Sequence, residues 1–151
     1  EDTNVPDEET REIIDEMKNL SPSCQWVILT GGEPGLQIDE LLISLLHEAE
    51  YKLAIETNGS LELPPGLDWI TVSPKVAEHC VRQLKANELK YVRAHGQGIP
   101  KPAAKAAHYL ISPAFDSDGL SDRNLKWCMD LVRKNPEWRL SLQLHKFLRI
   151  R

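Results

Sequence analysis

Five short stretches carry the residues able to do chemistry, and each follows an apolar run: Thr30-Gly31-Gly32-Glu33-Pro34, Glu56-Thr57-Asn58-Gly59, Ser73-Pro74-Lys75, Ser112-Pro113 and Gln143-Leu144-His145-Lys146. Gly31 and Gly32 offer backbone N–H groups that a ligand can approach with no Cβ in the way. Glu33 beside them repels phosphate and welcomes an ammonium. The stretch is therefore neither a P-loop, which needs a Lys-Ser/Thr pair after its glycines, nor a dinucleotide fingerprint, which needs a third Gly opening a helix. It implies a ligand with a positive amino group on a polar skeleton. Glu56 and Lys75 would meet further polar groups of ligands in the same mouth, although Lys75 reads equally well as a solvated charge. His145 is a lone histidine, as readable as a structural side chain as a ligand. Each motif also has a plain explanation: Asn58-Gly59 as a turn, Ser73-Pro74 as a strand end, Gly31-Gly32 as a tight turn. Jointly they are harder to dismiss, because polar groups at the ends of buried strands require partners.

Bringing such groups together is the task of the elements between them. Ile13, Ile14, Met17 and Leu20 recur at helical spacing, and Asp7, Glu8 and Glu9 suit a helix N-terminus, so Asp7 to Leu20 reads as an amphipathic helix. After Ser21-Pro22-Ser23, the continuous run Trp26 to Leu29 predicts a strand buried on both faces. Asp39 to Glu50 returns to the helical period, Tyr51 to Ile55 reads as a strand, and Leu67 to Val72 as another. Val76 to Ala86 is expected as a short polar helix, Leu89 to Arg93 and His108 to Ile111 as strands, Asp122 to Lys134 as a helix, and Trp138 to Leu144 as the last strand before a basic tail. Ala94 to Ala103, with two Gly and two Pro, reads as a flexible surface connection. Strands alternating with helices predict an α/β fold with a mostly parallel sheet and right-handed crossovers. The carboxyl ends of parallel strands share one edge, so the five motifs are expected around one mouth.

Size and composition agree with one domain: 151 residues, 41% hydrophobic and 27% charged are ordinary globular values, with no repeat or low-complexity tract. A net charge of −5 and a pI near 5.5 argue against nucleic acid as a direct partner. No apolar run approaches the ~20 residues needed to span a bilayer, and the acidic start lacks the apolar core of a signal peptide; a cytoplasmic location with no membrane partner is expected. Cys24, Cys80 and Cys128 stand far apart with no CxxC pair, which favours small reduced hydrophobes over a metal site. The sequence begins with Glu1 rather than Met, leaving room for a leading segment.

Val27-Ile28-Leu29-Thr30-Gly31-Gly32-Glu33-Pro34 resembles the strand and Gly-Gly-Glu-Pro motif with which radical S-adenosylmethionine enzymes hold the methionine amino group. With Glu56-Thr57-Asn58-Gly59, Ser73-Pro74-Lys75 and the closing stretch Trp138 to Lys146, the series resembles the 7-carboxy-7-deazaguanine synthase family, from Trp26 to Arg151. The resemblance implies an incomplete (β/α) barrel and a lyase of queuosine and 7-deazapurine biosynthesis, on the route to tRNA modification. Its reaction contracts 6-carboxy-tetrahydropterin to 7-carboxy-7-deazaguanine with loss of ammonia. It further implies S-adenosylmethionine, a [4Fe-4S] cluster and Mg²⁺ as cofactors, a small pterin as substrate and a homodimer. Carried onto this chain, Gly31, Gly32, Glu33 and Pro34 would receive the methionyl moiety. Ser73, Pro74 and Lys75, and by position Ser112, Pro113, Ala114 and Phe115, would line the S-adenosylmethionine site. Thr30, Glu56, Asn58, Gln143, His145 and Arg151 would face the pterin.

Two departures from the family pattern stand out. Ser112 occupies a position where the family more often has Gln. The Cys-x3-Cys-x2-Cys loop, which supplies three thiolates and leaves the fourth iron open, has no match, nor does the Thr expected to ligate Mg²⁺ after it. The chain thus reads as a single domain, residues 1–151, without the N-terminal cluster-binding βα segment, with no metal ligands of its own and inactive alone. Two alternatives are a radical activase of a glycyl-radical enzyme, which leaves the terminal Gln-x-His-Lys unexplained, and a non-catalytic S-adenosylmethionine- or pterin-binding module.

Overall fold

The computed structural model describes residues 8–117, 119–144 and 148. In chain order the elements are α1 (Glu8–Leu20), β1 (Trp26–Leu29), α2 (Glu40–Glu48), β2 (Lys52–Thr57), β3 (Trp69–Val72), β4 (Lys85–Arg93), β5 (Lys105–Pro113), β6 (Phe115–Asp116), β7 (Gly119–Leu120), α3 (Asp122–Lys134) and β8 (Trp138–Leu140). Six strands form one sheet in the order β1-β2-β3-β4-β5-β8, every neighbouring pair parallel, and β6 and β7 form a small antiparallel hairpin. The α/β class and the parallel sheet read from the sequence are what the molecule has.

All three helices pack on one face of the sheet. Ile14 of α1 and Ile43 and Leu46 of α2 meet Leu53 and Ile55 of β2 in one apolar cluster, and Cys128 of α3 meets Leu89, Tyr91, Ile111 and Trp138 in a second. The other face carries Ile28, Glu56, Thr71, Glu88, Lys90, Val92 and His108, from which Ile28 (63% exposed) and Val92 (48%) reach solvent. This corrects the expectation of strands buried on both faces. The strands alternate with period two, Leu53 and Ile55 inward against Ala54 and Glu56 outward, because helices cover one side only.

Local chemistry sets the element ends. Asp39 caps α2, its carboxylate accepting from Leu42 N at 2.8 Å, and Glu50 closes the helix at a positive φ of 68°. The expected helix from Val76 to Ala86 is instead one 3₁₀ turn, Glu78–Cys80, followed by extended chain that enters β4 at Lys85. Tertiary bonds override the helical pattern here: Arg82 N donates to Gly59 O (2.7 Å), Gln83 Oε1 accepts from Leu63 N (3.0 Å), and Val81 is buried. Strands β4 and β5 are each nine residues long, roughly twice the expected reach, since they pair along nearly their whole length. β8 is shorter than expected, and the β6–β7 hairpin has no counterpart in the sequence reading. The loop from Ala94 is tied down: Gln97 accepts from Ala94 N and from Trp127 Nε1, Arg93 Nε donates to Gly98 O, and the His95 and Trp127 rings lie 4.8 Å apart. Among the described residues no helix is long and apolar enough to cross a membrane.

Candidate functional site

Every strand of the six-stranded sheet ends at a cavity of about 210 Å³. Thr30, Gly31 and Gly32 enter from β1, Glu56, Thr57 and Asn58 from β2, and Ser73 and Lys75 from β3. Lys90 and Val92 come from β4, Ser112 from β5, and Gln143 follows β8. Nine of the sequence-named positions thus share one wall. A second cavity of about 150 Å³ lies beside it, lined by Leu29, Thr30, Gly32, Glu33, Pro34, Gln37, Ile38 and Leu42. Thr30 and Gly32 therefore belong to both.

The turn after β1 is built to present backbone. Gly31 has φ +121°, in the region that favours glycine, and a Cβ added at Gly31 or at Gly32 would find no atom within 4 Å. Both glycines border the cavity with open space where a side chain would stand. Glu33 does not share that freedom: its Oε1 accepts from the Thr57 hydroxyl at 2.5 Å and from Gly35 N at 3.1 Å, and its Oε2 accepts from Asn58 N at 2.8 Å. Three donors commit this carboxylate to the scaffold, where it ties the β1 turn to the end of β2. Thr57 Oγ1 in turn accepts from Gly59 N (3.0 Å), and Asn58 Oδ1 accepts from Ser60 N (2.8 Å). Ser73 N donates to Thr57 O at 2.8 Å, carrying the lock on to β3.

The larger cavity is electropositive in a chain of net charge −5: the ammonium groups of Lys75 and Lys90 stand against the one carboxylate of Glu56. Lys90 Nζ donates to both Glu56 oxygens, at 3.0 and 3.1 Å. Such a lining suits a ligand with carboxylate groups and polar ring edges.

Of the other sequence-named residues, Pro113 is fully buried at the end of β5, and Ala114 N donates to Arg93 O while its own carbonyl accepts from Asn124 Nδ2. Phe115 lies in the β6–β7 hairpin. Pro74, Pro113, Ala114 and Phe115 do not line either cavity. His145 and Arg151 lie outside the described residues. Thr57 was given no role of its own within its stretch, and Lys90 and Val92 were not singled out from the sequence. The signal for the last two was the alternation Glu88-Leu89-Lys90-Tyr91-Val92, in which the buried Leu89 and Tyr91 force their neighbours onto the open face.

The described residues do not fit an iron–sulfur cluster. Cys24 and Cys80 are exposed and Cys128 is buried in the α3 core. None of them lines either cavity of the site, and no group of three His, Cys, Asp or Glu suited to a metal occurs among the described residues. Among the described residues there is no carboxylate set there for a divalent cation either.

A one-sided parallel sheet with its ligand-facing loops gathered at the strand C-termini defines an α/β domain of the partial-barrel type. The fold matches the crystal structure of QueE from Escherichia coli with a TM-score of 0.66 at 22% identity, covering 89% of this chain and 63% of that one. In sequence it is 43% identical over 135 residues to the 7-carboxy-7-deazaguanine synthase of Burkholderia multivorans, covering 83% of this chain and 60% of that protein. The synthase of Bacteroides thetaiotaomicron is 43% identical over 126 residues, covering 83% and 65%, and that of Buchnera aphidicola 32% identical over 152 aligned positions, covering 93% and 67%. No family model matches. The chain belongs to the 7-carboxy-7-deazaguanine synthase family, and it spans about 60% of the length of the Burkholderia relative.

Proposed function

We propose that this chain is the larger part of a 7-carboxy-7-deazaguanine synthase, a radical S-adenosylmethionine lyase of the cytoplasm. The reaction would contract 6-carboxy-5,6,7,8-tetrahydropterin to 7-carboxy-7-deazaguanine with loss of ammonia, in queuosine and 7-deazapurine biosynthesis. The observation that carries the reading is the meeting of six strand ends at one electropositive cavity beside an unobstructed glycine turn. In this reading the backbone of Gly31 and Gly32 receives the methionyl group of S-adenosylmethionine. Ser73 and Lys75, with Pro74 and the stretch Ser112 to Phe115, bound the rest of it. Thr30, Glu56, Asn58 and Gln143, joined by His145 and Arg151, face the pterin. The ammonium of Lys75 offsets ligand carboxylate charge, and Glu33, whose carboxylate also holds the walls together, borders the methionyl site with Pro34.

Among the described residues the [4Fe-4S] cluster and Mg²⁺ of such an enzyme find no ligand set. Their βα segment belongs, in this reading, outside residues 1–151, which form a single domain of a homodimeric enzyme. This polypeptide alone does not cleave S-adenosylmethionine.

The test is anaerobic reconstitution with iron and sulfide of both the complete protein and these 151 residues, followed by product analysis. Deazaguanine product from the complete protein, and no S-adenosylmethionine cleavage by the 151 residues, is the expected pair of results. A glycyl radical raised on a partner protein would replace this reading with an activase. Tight binding of either ligand without turnover would replace it with a binding module.

A further inference from the structure

We infer that Lys90 is a positioning residue for the pterin-facing carboxylate of Glu56, an inference that rests on the functional reading above. Lys90 sits on β4, two strands from Glu56 on β2, with β3 between them. Both side chains rise from the helix-free face, and Lys90 Nζ bridges both Glu56 oxygens at 3.0 and 3.1 Å. The lysine side chain is only 16% exposed, whereas that of Glu56 is 47% exposed and stands at the cavity.

That asymmetry assigns the roles. A lysine so withdrawn from water needs an anion, and among the described residues Glu56 is the one paired with it; the other acid on its strand face, Glu88, accepts from the Thr71 hydroxyl at 2.9 Å. Glu56, by contrast, has water enough to live without Lys90, so the pair adds little to folding. What Lys90 supplies is direction. Without it a half-exposed glutamate samples several rotamers, and each must be frozen again when a ligand arrives. With it, the carboxylate is held over the cavity as a fixed pair of acceptors for the N–H edge of a planar heterocycle.

The experiment compares Lys90→Gln and Lys90→Arg with wild type in the complete, reconstituted protein. It reads KM and kcat for 6-carboxytetrahydropterin, the dissociation constant for S-adenosylmethionine, and the melting temperature. Lys90→Gln should raise the pterin KM about tenfold or more, with the melting temperature and the S-adenosylmethionine affinity near wild type. Lys90→Arg should recover most of the loss, since a guanidinium also bridges two carboxylate oxygens. A Lys90→Gln protein with a wild-type pterin KM overturns the inference and leaves the functional reading standing. Equal losses for both ligands, or a fall in melting temperature matching the loss of binding, overturn it in favour of a merely structural lysine. A wild-type protein that binds no pterin overturns both together.

Discussion

The Thr57 hydroxyl donates to Glu33 Oε1 at 2.5 Å, joining residues 24 positions apart and fastening the glycine turn of β1 to the end of β2. Thr57 is buried and Glu33 receives two further backbone donors. Glu33→Gln puts an amide NH₂ where an acceptor is needed, so a part-buried donor loses its partner. It should cost about 1–3 kcal/mol in urea unfolding, and Thr57→Val a similar amount. Because both substitutions break one network, their double variant should cost clearly less than the sum. Simple additivity would show that the bond does not fasten the turn.

Two glycines at the site should respond in opposite ways. Gly59 has φ +76°, and a Cβ there would lie 2.7 Å from Val72 Cγ1 and 3.3 Å from Val81 Cγ1. Gly59→Ala should therefore destabilise by about 1–3 kcal/mol. At Gly32 an added methyl meets nothing within 4 Å, so Gly32→Ala should shift stability by less than about 0.5 kcal/mol. On the proposed function it should nevertheless weaken S-adenosylmethionine binding by the complete protein at least tenfold, about 1.4 kcal/mol, because the methyl would occupy the space assigned to the ligand. Calorimetry and equilibrium titration together check the pair.

Asp68 links three elements. Its Oδ2 accepts from Leu53 N at 2.8 Å and lies 2.9 Å from His47 Nε2. The Leu53 amide first, and the His47 side chain second, hold its carboxyl below the usual aspartate value. A lowered pKa in the folded protein means stability that is present above the ordinary carboxylate range and lost as pH falls through the lowered value. Wild type should therefore lose more melting temperature than Asp68→Asn between about pH 5 and about pH 2. Parallel curves would sink this account.

Among the described residues the buried Tyr91 hydroxyl has no hydrogen-bond partner. Glu78 lies close enough to act on it by charge, but outside bonding geometry, and Glu78 Oε2 accepts from Ala103 N at 2.9 Å. Burial pushes the phenol well above its usual value. Its ring is what the core uses, edge-on to Trp138 at 5.9 Å. Tyr91→Phe keeps the ring and removes the orphan oxygen, so the unfolding free energy should stay within about 1 kcal/mol of wild type or rise. A large loss would reveal a partner for the hydroxyl.

Much of the fold was legible because its signals are local. α3 runs from Asp122 to Lys134 as its periodicity and the following Pro136 require, α1 ends at Leu20 as expected, and α2 deviates by a residue or two at its ends. The segment from Val76 to Ala86 was not legible, since its path is decided by Gly59, Leu63 and Lys85, residues that no window along the chain contains together. At the site, the strand-end motifs announced themselves through Gly, Pro and clustered polar types. Lys90 did not, because an isolated lysine within a strand looks like any solvated charge until the register sets it two strands from Glu56.

Thr30 and Gly32 border the larger cavity on one side and the smaller one on the other. They act as a party wall: a compact molecule lodged among Pro34, Gln37 and Leu42 would press on the same two residues from behind. A ligand for this domain need not mimic anything that enters by the front, and fragments selected for the rear compartment offer a route to one.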